Sequence, residues 1–398
     1  MTDRVAIVTT KQPGTNPRMR KSADALASAG YKVHVFYAYN TPWADETDAE
    51  LFQKATWNHT RIGGHPRYSK LRYQRKRLIR KCASWFNWTD LEFCPCLQSY
   101  YKALRQFDPQ LVIGHNPGAL PILTKWHNNT GKPVLFDAED FHSGEHYEGS
   151  GEHKKMSGFE SRHFGQLSRI TAASPLIGNA YQDRFPHLSV TPINNAFDAL
   201  LQPDFAPMTE GPLKLVWFSQ VIGLDRGIQD VLSHLKTIPD LPIEITLIGT
   251  CDIATKCILE QSLSSDLHIL NWCNPCSEPD LMALIAQHHI GLAIEPGFST
   301  NNNIAWANKL FTYPLCGCWT LASRTPGQTQ FYEEYPELGE TWDLKNGAVW
   351  AKRLTELASS LKLLSGQRQK VWNIAKNQLN WEKESLKLLT VVDELIAS

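Results

Sequence analysis

No stretch of this 398-residue chain is apolar over the roughly twenty residues that a membrane-crossing helix needs. Between Met1 and Thr10, charge precedes only a short apolar run with no small-residue cleavage site, which is not the form of an export signal. The reading is a cytoplasmic chain that spans no membrane. An excess of either charge is also missing. With 40 Lys and Arg against 40 Asp and Glu, overall charge gives no drive toward nucleic acid, which is left out of the expected partners. Among nine cysteines, only Cys273-Asn-Pro-Cys276 has the two-residue spacing of a zinc or redox motif. No second pair and no His-x3-His follows at zinc-site spacing, so reduced packing cysteines are expected, with no bound metal and no cofactor. Low-complexity segments and short repeats are absent.

What is present is length and alternation. The chain exceeds what one hydrophobic core usually serves, so two domains are expected. Val5-Ala-Ile-Val-Thr-Thr10 is a buried-strand run, followed by a loop and by Asn16-Pro17, a cap residue with proline at the first helical position. Lys32 to Tyr37, Gln110 to Gly114 and Pro133 to Asp137 read as further strands with helical stretches between them. The pattern restarts after the Pro-rich stretch 202–212, with strand-like runs at Leu213 to Phe218, Ile243 to Gly249, Leu267 to Leu270, His289 to Ile294 and Cys318 to Ala322. Strands alternating with helices imply parallel sheets covered on both faces. The expectation is an α/β chain of two doubly wound, Rossmann-like domains facing across a cleft. Residues 1–201 form the first, 202–212 the linker, 213–374 the second, and 375–398 a closing helix. In such sheets ligands sit beyond the carboxyl ends of the strands, so chemistry is sought in the loops there.

Three groups of residues stand out in those loops. Arg18 and Arg20 lie in the first turn of the first helix, where the partial positive charge of a helix N-terminus disfavours cations. The oddity recurs at Ser219-Gln-Val-Ile-Gly-Leu-Asp-Arg226-Gly227, which follows a strand and leads into a helix over Ile228 to Leu235. A strand, a glycine-containing loop, a helix start and an arginine can cradle a diphosphate. The competing reading is of solvated loop arginines. His115 follows one strand, in Gly114-His-Asn-Pro-Gly118, and Glu139 and Asp140 follow the next. Titratable groups there can act as bases or charge stabilisers, against the plainer reading of helix caps.

With these residues in view, the chain resembles the glycosyltransferase family 4-like enzymes, retaining transferases of the GT-B architecture. The resemblance rests on Gly14-Thr-Asn-Pro-Arg-Met-Arg-Lys21, on Gly114-His-Asn-Pro-Gly-Ala-Leu120 and on Gly223-Leu-Asp-Arg-Gly227. It also rests on Asn308-Lys-Leu-Phe-Thr-Tyr-Pro-Leu-Cys-Gly317 and on the C-terminal Trp381-Glu-Lys-Glu. It implies donor binding through Arg226, Asn308, Lys309 and Thr312, acceptor binding through Arg18, and catalysis through Glu139 and His115. The closing helix would cross back to the first domain. Two departures matter. The family's Glu-x7-Glu pattern falls on Ile304 and Thr312, so both acids are missing, although a threonine hydroxyl can still bond a ribose. At Glu139, family members often carry histidine; a carboxylate there could stabilise positive charge developing on a sugar ring.

The implied activity is transfer of a sugar from a nucleoside diphosphate to an acceptor hydroxyl, retaining and metal-independent. The acceptor would be a glycan or a lipid-linked saccharide in cell-surface polysaccharide synthesis. Absence of an Asp-x-Asp motif fits that reading. An isomerase of the UDP-sugar 2-epimerase kind stays open, because fold does not fix reaction, and so does a catalytically silent binding or scaffold subunit. Residues Arg61 to Lys81 are rich in Lys and Arg and hold no acid. With Tyr68, Leu71, Leu78, Cys82 and Trp85 near one helical face, the stretch is expected to bind an anionic membrane at the inner leaflet, against the alternative of a solvated basic face.

Overall fold

The computed structural model describes residues 3–263 and 265–397. By internal contacts the chain divides into two compact units. The first runs to Asn194 and takes in Ser299–Asn301 and the segment from Glu384; the second comprises Asn195–Phe298 and Asn302–Lys383.

The first unit is built on seven parallel strands: β1 (Arg4–Thr9), β2 (Lys32–Ala38), β3 (Asn58–Ile62), β4 (Leu111–His115), β5 (Val134–Ala138), β6 (Arg169–Ala172) and β7 (Val190–Pro192). Their order in the sheet is β3-β2-β1-β4-β5-β6-β7. β4 and β5 are buried along their whole length and β1 beyond its first residue, as runs of Val, Ile and Leu covered on both faces must be. The direction of winding reverses between β1 and β4, which opens a crevice at their carboxyl ends. In the second unit, six parallel strands are ordered β10-β9-β8-β11-β12-β13. They are β8 (Leu213–Val221), β9 (Ile243–Thr250), β10 (His268–Cys273), β11 (Ile290–Ala293), β12 (Trp319–Ser323) and β13 (Gly339–Trp342). Here the reversal falls between β8 and β11.

The first helix spans Pro17–Ser28, and the Asn16 side chain accepts from the Met19 N–H at 2.8 Å, so cap and proline act as the sequence suggests. The helix Ile228–Leu235 likewise follows its loop. Four strands carry no strong sequence signal. β3 is polar and largely exposed at a sheet edge, while β6, β7 and β13 have three or four residues each.

The stretch 202–212 is more than a bare linker. Gln202 donates to the Trp372 carbonyl, the Trp372 indole donates to Pro203 at 2.8 Å, and Arg368, fully buried, donates to Ala206. Prolines leave carbonyls without local donors, and side chains of the helix Leu361–Gln378 supply them. The last helix, Trp381–Ala397, starts at the Trp-Glu-Lys-Glu motif. Glu382 accepts from the Ala199 N–H, and Glu384 accepts from both the backbone and the side chain of Asn194. The chain therefore first leaves the first unit at Asn194 and makes its final return at Glu384, and these two residues are hydrogen-bonded to each other.

Candidate functional site

The crevice between β1 and β4 is bridged by asparagine. Asn116, just past β4, has φ 62° and ψ 156°, a sparsely populated conformation outside the left-handed helical region that its side-chain bonds hold in place. Its side chain donates to the Thr9 hydroxyl at 2.6 Å and accepts from the Thr10 hydroxyl at 2.7 Å, tying the two strand ends together. Gly118 comes so close to β1 that an added Cβ would lie 2.3 Å from the Thr10 hydroxyl, so only glycine fits.

Below this crevice lies a buried charge network. The Arg18 guanidinium grips Asp137 with two bonds, Nε to Oδ2 and Nη2 to Oδ1, each 2.7 Å, and its Nη1 donates to the Ile193 carbonyl at 2.7 Å. Thr171 donates to Asp137 Oδ1 at 2.5 Å. His115 is fully enclosed, and its Nδ1 lies 3.2 Å from both Asp137 Oδ2 and Glu139 Oε1. The Asn16 amide donates to the same Glu139 oxygen. Burial alone would lower the His115 pKa, but the bonds and charges of Asp137 and Glu139 outweigh it and raise the value to about 9. Burial opposes ionisation of both acids as well, yet Arg18 and His115 hold Asp137 far below the usual carboxylate range, and His115 holds Glu139 below it. At neutral pH the network contains two cations and two anions.

This corrects two sequence expectations. Arg18 is neither a solvated arginine nor a group open to an acceptor, because the anion that offsets its unfavourable place in a first helical turn is Asp137. His115 cannot touch a substrate directly. Of the expected catalytic pair, Glu139 alone reaches solvent, with 27 % of its side chain exposed. It borders a cavity of about 370 Å³ together with Asp140, His142, Lys11, Lys76 and Gly118. Asp140 is held by the Asn301 amide at 2.8 Å, and His142 Nδ1 lies 2.7 Å from Glu145.

Two trios place ligand-type atoms within 4.8 Å of one another: His115, Asp137 and Glu139, and Asp140, His142 and Glu145. The first fits a metal ion poorly, because the Arg18 guanidinium already occupies Asp137 and would repel a second cation.

In the second unit, β8 leads to a single 3-10 turn at Leu224–Arg226 and then to Gly227. Gly227 has φ +76°, and a Cβ there would press on Ile294 at 2.8 Å, so this helix start demands glycine. Arg226 is exposed. Lys309 opens the helix Lys309–Leu315 and lies over the Trp217 and Phe218 rings, with Nζ 3.4 Å from Glu295 Oε1. Glu295 follows β11 across the winding reversal from the Arg226 loop. Asn308 is exposed and accepts from Asn195 at 2.9 Å. Thr312 is only 1 % exposed, and its hydroxyl donates to the Asn308 carbonyl of its own helix, so it does not offer the ribose contact expected of it.

No protein-family model and no curated protein matches the sequence. Solved structures do match over nearly the whole chain. Sucrose-phosphate synthase from Thermosynechococcus elongatus is 12 % identical, with 99 % of each chain covered and a TM-score of 0.72. HepE of Anabaena, solved in complex with UDP, is 13 % identical over 98 % of this chain and 100 % of its own, at 0.68. A variant of S. aureus TarM, solved with fondaparinux, alpha-GlcNAc-glycerol and UDP, is 9 % identical over 100 % of both chains, at 0.67. The chain has the GT-B fold.

Within this GT-B chain, the expected residues fall into two sets at the two winding reversals. Arg18, His115 and Glu139 meet at β1/β4, and Arg226, Asn308 and Lys309 lie around β8/β11. Sequence reasoning passed over Asp137, Asn16 as a partner of Glu139, and Glu295. Asp137 and Glu295 do carry a signal, since each is an acid at the carboxyl end of a buried strand run. The Asn16 contact, 123 residues away in sequence, carries none.

The basic stretch also differs from its expected form. Arg61 belongs to edge strand β3, Tyr68 precedes the helix and stacks on His65, and the helix itself is Lys70–Trp85. Leu71, Leu78 and Trp85 are each more than half exposed along it. Among the described residues no helix is long and apolar enough to cross a bilayer.

Proposed function

We propose that the chain transfers a sugar from a nucleoside diphosphate donor to an acceptor hydroxyl, with retention of anomeric configuration and without a catalytic metal. The observation that carries this reading is Glu139: a partly exposed carboxylate at the strand-end crevice of a GT-B unit, kept ionised by a buried histidine. In the reaction, the bond between the anomeric carbon and the β-phosphate oxygen breaks and the diphosphate leaves with the electron pair. The acceptor oxygen bonds to the same carbon, and its proton passes to the departing phosphate. Glu139 stabilises the positive charge that develops on the sugar ring, while His115, Asn16 and Asp137 act as positioning residues behind it. Arg226 and Lys309 meet the charge on the diphosphate, the task a metal performs elsewhere.

UDP in the crystal structures of HepE and TarM supports a nucleotide donor for the second unit. The acceptor is proposed to be a glycan or lipid-linked saccharide of cell-surface polysaccharide synthesis, met at the inner face of the membrane through the basic stretch Arg61 to Lys81. The test is to offer the protein a panel of nucleotide sugars with membrane extract and analyse the products by mass spectrometry. A glycosylated product is expected. Conversion of a lone nucleotide sugar to its isomer would instead identify an isomerase.

A further inference from the structure

A second cavity, of about 720 Å³, lies beneath the Lys70–Trp85 helix in the first unit. It is walled by the end of β3, by the helix Thr89–Phe93 and by the helix Leu97–Phe107. Its volume falls in the range of about 300–1,000 Å³ typical of small-molecule sites. The lining has two characters. Leu78, Ile79, Leu91, Leu97 and Ala103 make it apolar, whereas Arg61, Arg72, Arg75, Lys76 and Lys102 make it cationic, and no carboxylate borders it. Among the described residues, none of these five cations forms a salt bridge. Arg61, Arg72, Arg75 and Lys102 are exposed and so stay solvated, yet together they set a positive potential over the hollow that favours an anionic group there.

The position of the hollow adds to this. Lys76, Pro95 and Cys96 also line the cavity that holds Glu139, so the two spaces share a wall. Burial lowers the pKa of Lys76, which donates to the Tyr39 carbonyl at 2.6 Å at that shared wall. Trp85, Phe86 and Trp88 are each more than half exposed; Phe86 and Trp88 stack on one another, and Trp88 borders the hollow, so apolar surface continues from it to solvent. Hydrocarbon beside phosphate matches both characters of this lining, whereas a free sugar supplies neither.

We propose that this cavity binds one molecule of an amphiphilic acceptor, its hydrocarbon chain against Leu78, Leu91 and Ala103 and its phosphate on Arg72, Arg75 and Lys76. The end to be glycosylated then lies toward Glu139. The proposal rests on the transferase reading for the word acceptor, but the binding itself does not.

The probe is dodecyl phosphate below its micellar concentration, titrated calorimetrically into the full chain, with inorganic phosphate and dodecyl maltoside as separate arms. Saturable one-to-one binding is expected for dodecyl phosphate, at least about tenfold tighter than for either control, since each control lacks one of the two interactions. The pair Arg72→Ala with Arg75→Ala, both on an exposed helix, should weaken it by about tenfold or more. Ala103→Phe, which fills the hollow without changing charge, should abolish it. If Ala103→Phe does not fold, the arginine pair decides alone. Absence of saturable binding, binding indifferent to both variants, or attachment only to anionic vesicles and not to the monomeric probe would each overturn the cavity site. UDP-induced stabilisation is measured alongside. UDP stabilisation without dodecyl phosphate binding refutes the cavity site alone, whereas saturable probe binding with no response to any nucleotide supports the lipid site and refutes the transferase reading.

Discussion

Removing the Arg18 guanidinium should test the buried network most directly. Arg18 and Asp137 side chains are 4 % and 6 % exposed, so little water can replace the two 2.7 Å bonds between them or the third bond to Ile193. Breaking a buried pair by deleting one partner typically costs about 3–5 kcal/mol, because the surviving charge stays buried. Asp137 would keep the Thr171 hydroxyl and His115, which places the expected loss for Arg18→Ala near the lower end, about 3 kcal/mol. In a unit of this size that corresponds to a fall in melting temperature of roughly 6–12 °C. Urea unfolding of wild type, Arg18→Ala, Asp137→Ala and the double variant gives the coupling between the two residues, expected to exceed about 1 kcal/mol because they share bonds. A loss for Arg18→Ala below about 1 kcal/mol, together with a raised KM for acceptor, would refute the reasoning and return Arg18 to the ligand.

Glu139→Gln keeps size and hydrogen bonding but removes charge, so kcat should fall by about a hundredfold or more, with some stability lost through His115, and unchanged turnover would leave Glu139 a purely structural member of the network. A nucleoside diphosphate at about a hundred times its Kd should stabilise the fold by roughly 2.7 kcal/mol, and Arg226→Ala or Lys309→Ala should shrink that gain. A panel of UDP, GDP, ADP and TDP read by melting temperature checks this; equal gains in wild type and variants would reject both residues. His115, with its pKa raised to about 9, holds a proton that the unfolded chain releases above about 6.5. Its contribution, about 3 kcal/mol, is therefore complete below pH ~6.5 and fades as pH rises through about 9, a loss that unfolding curves should show in wild type and not in His115→Gln. Sedimentation with vesicles should show binding to anionic and not to neutral lipid at low salt, with about 1 kcal/mol of attraction per basic residue near the surface, and equal binding to both would sink the membrane proposal.

The sequence by itself determined the elements whose signals are local. Short runs dominated by apolar residues mark β1, β4, β5, β8, β9, β11 and β12, because a strand covered on both faces buries nearly all of its side chains. Asn16-Pro17 marks the first helix start, since capping involves only neighbours within one turn. Position after such a run was also enough to single out His115, Glu139 and Arg226. What each side chain does there was decided by tertiary structure. Arg18 finds Asp137 across 119 residues only because β1 and β5 enter the same sheet with β4 between them, and that order is not written in either local sequence. The same placement encloses His115 and leaves Glu139 at the cavity. In the second unit, packing closes the Thr312 hydroxyl onto its own helix and sets Lys309 beside Glu295. A charge is legible in sequence, but its partner and its exposure are set by contacts between distant segments, and these assign the role.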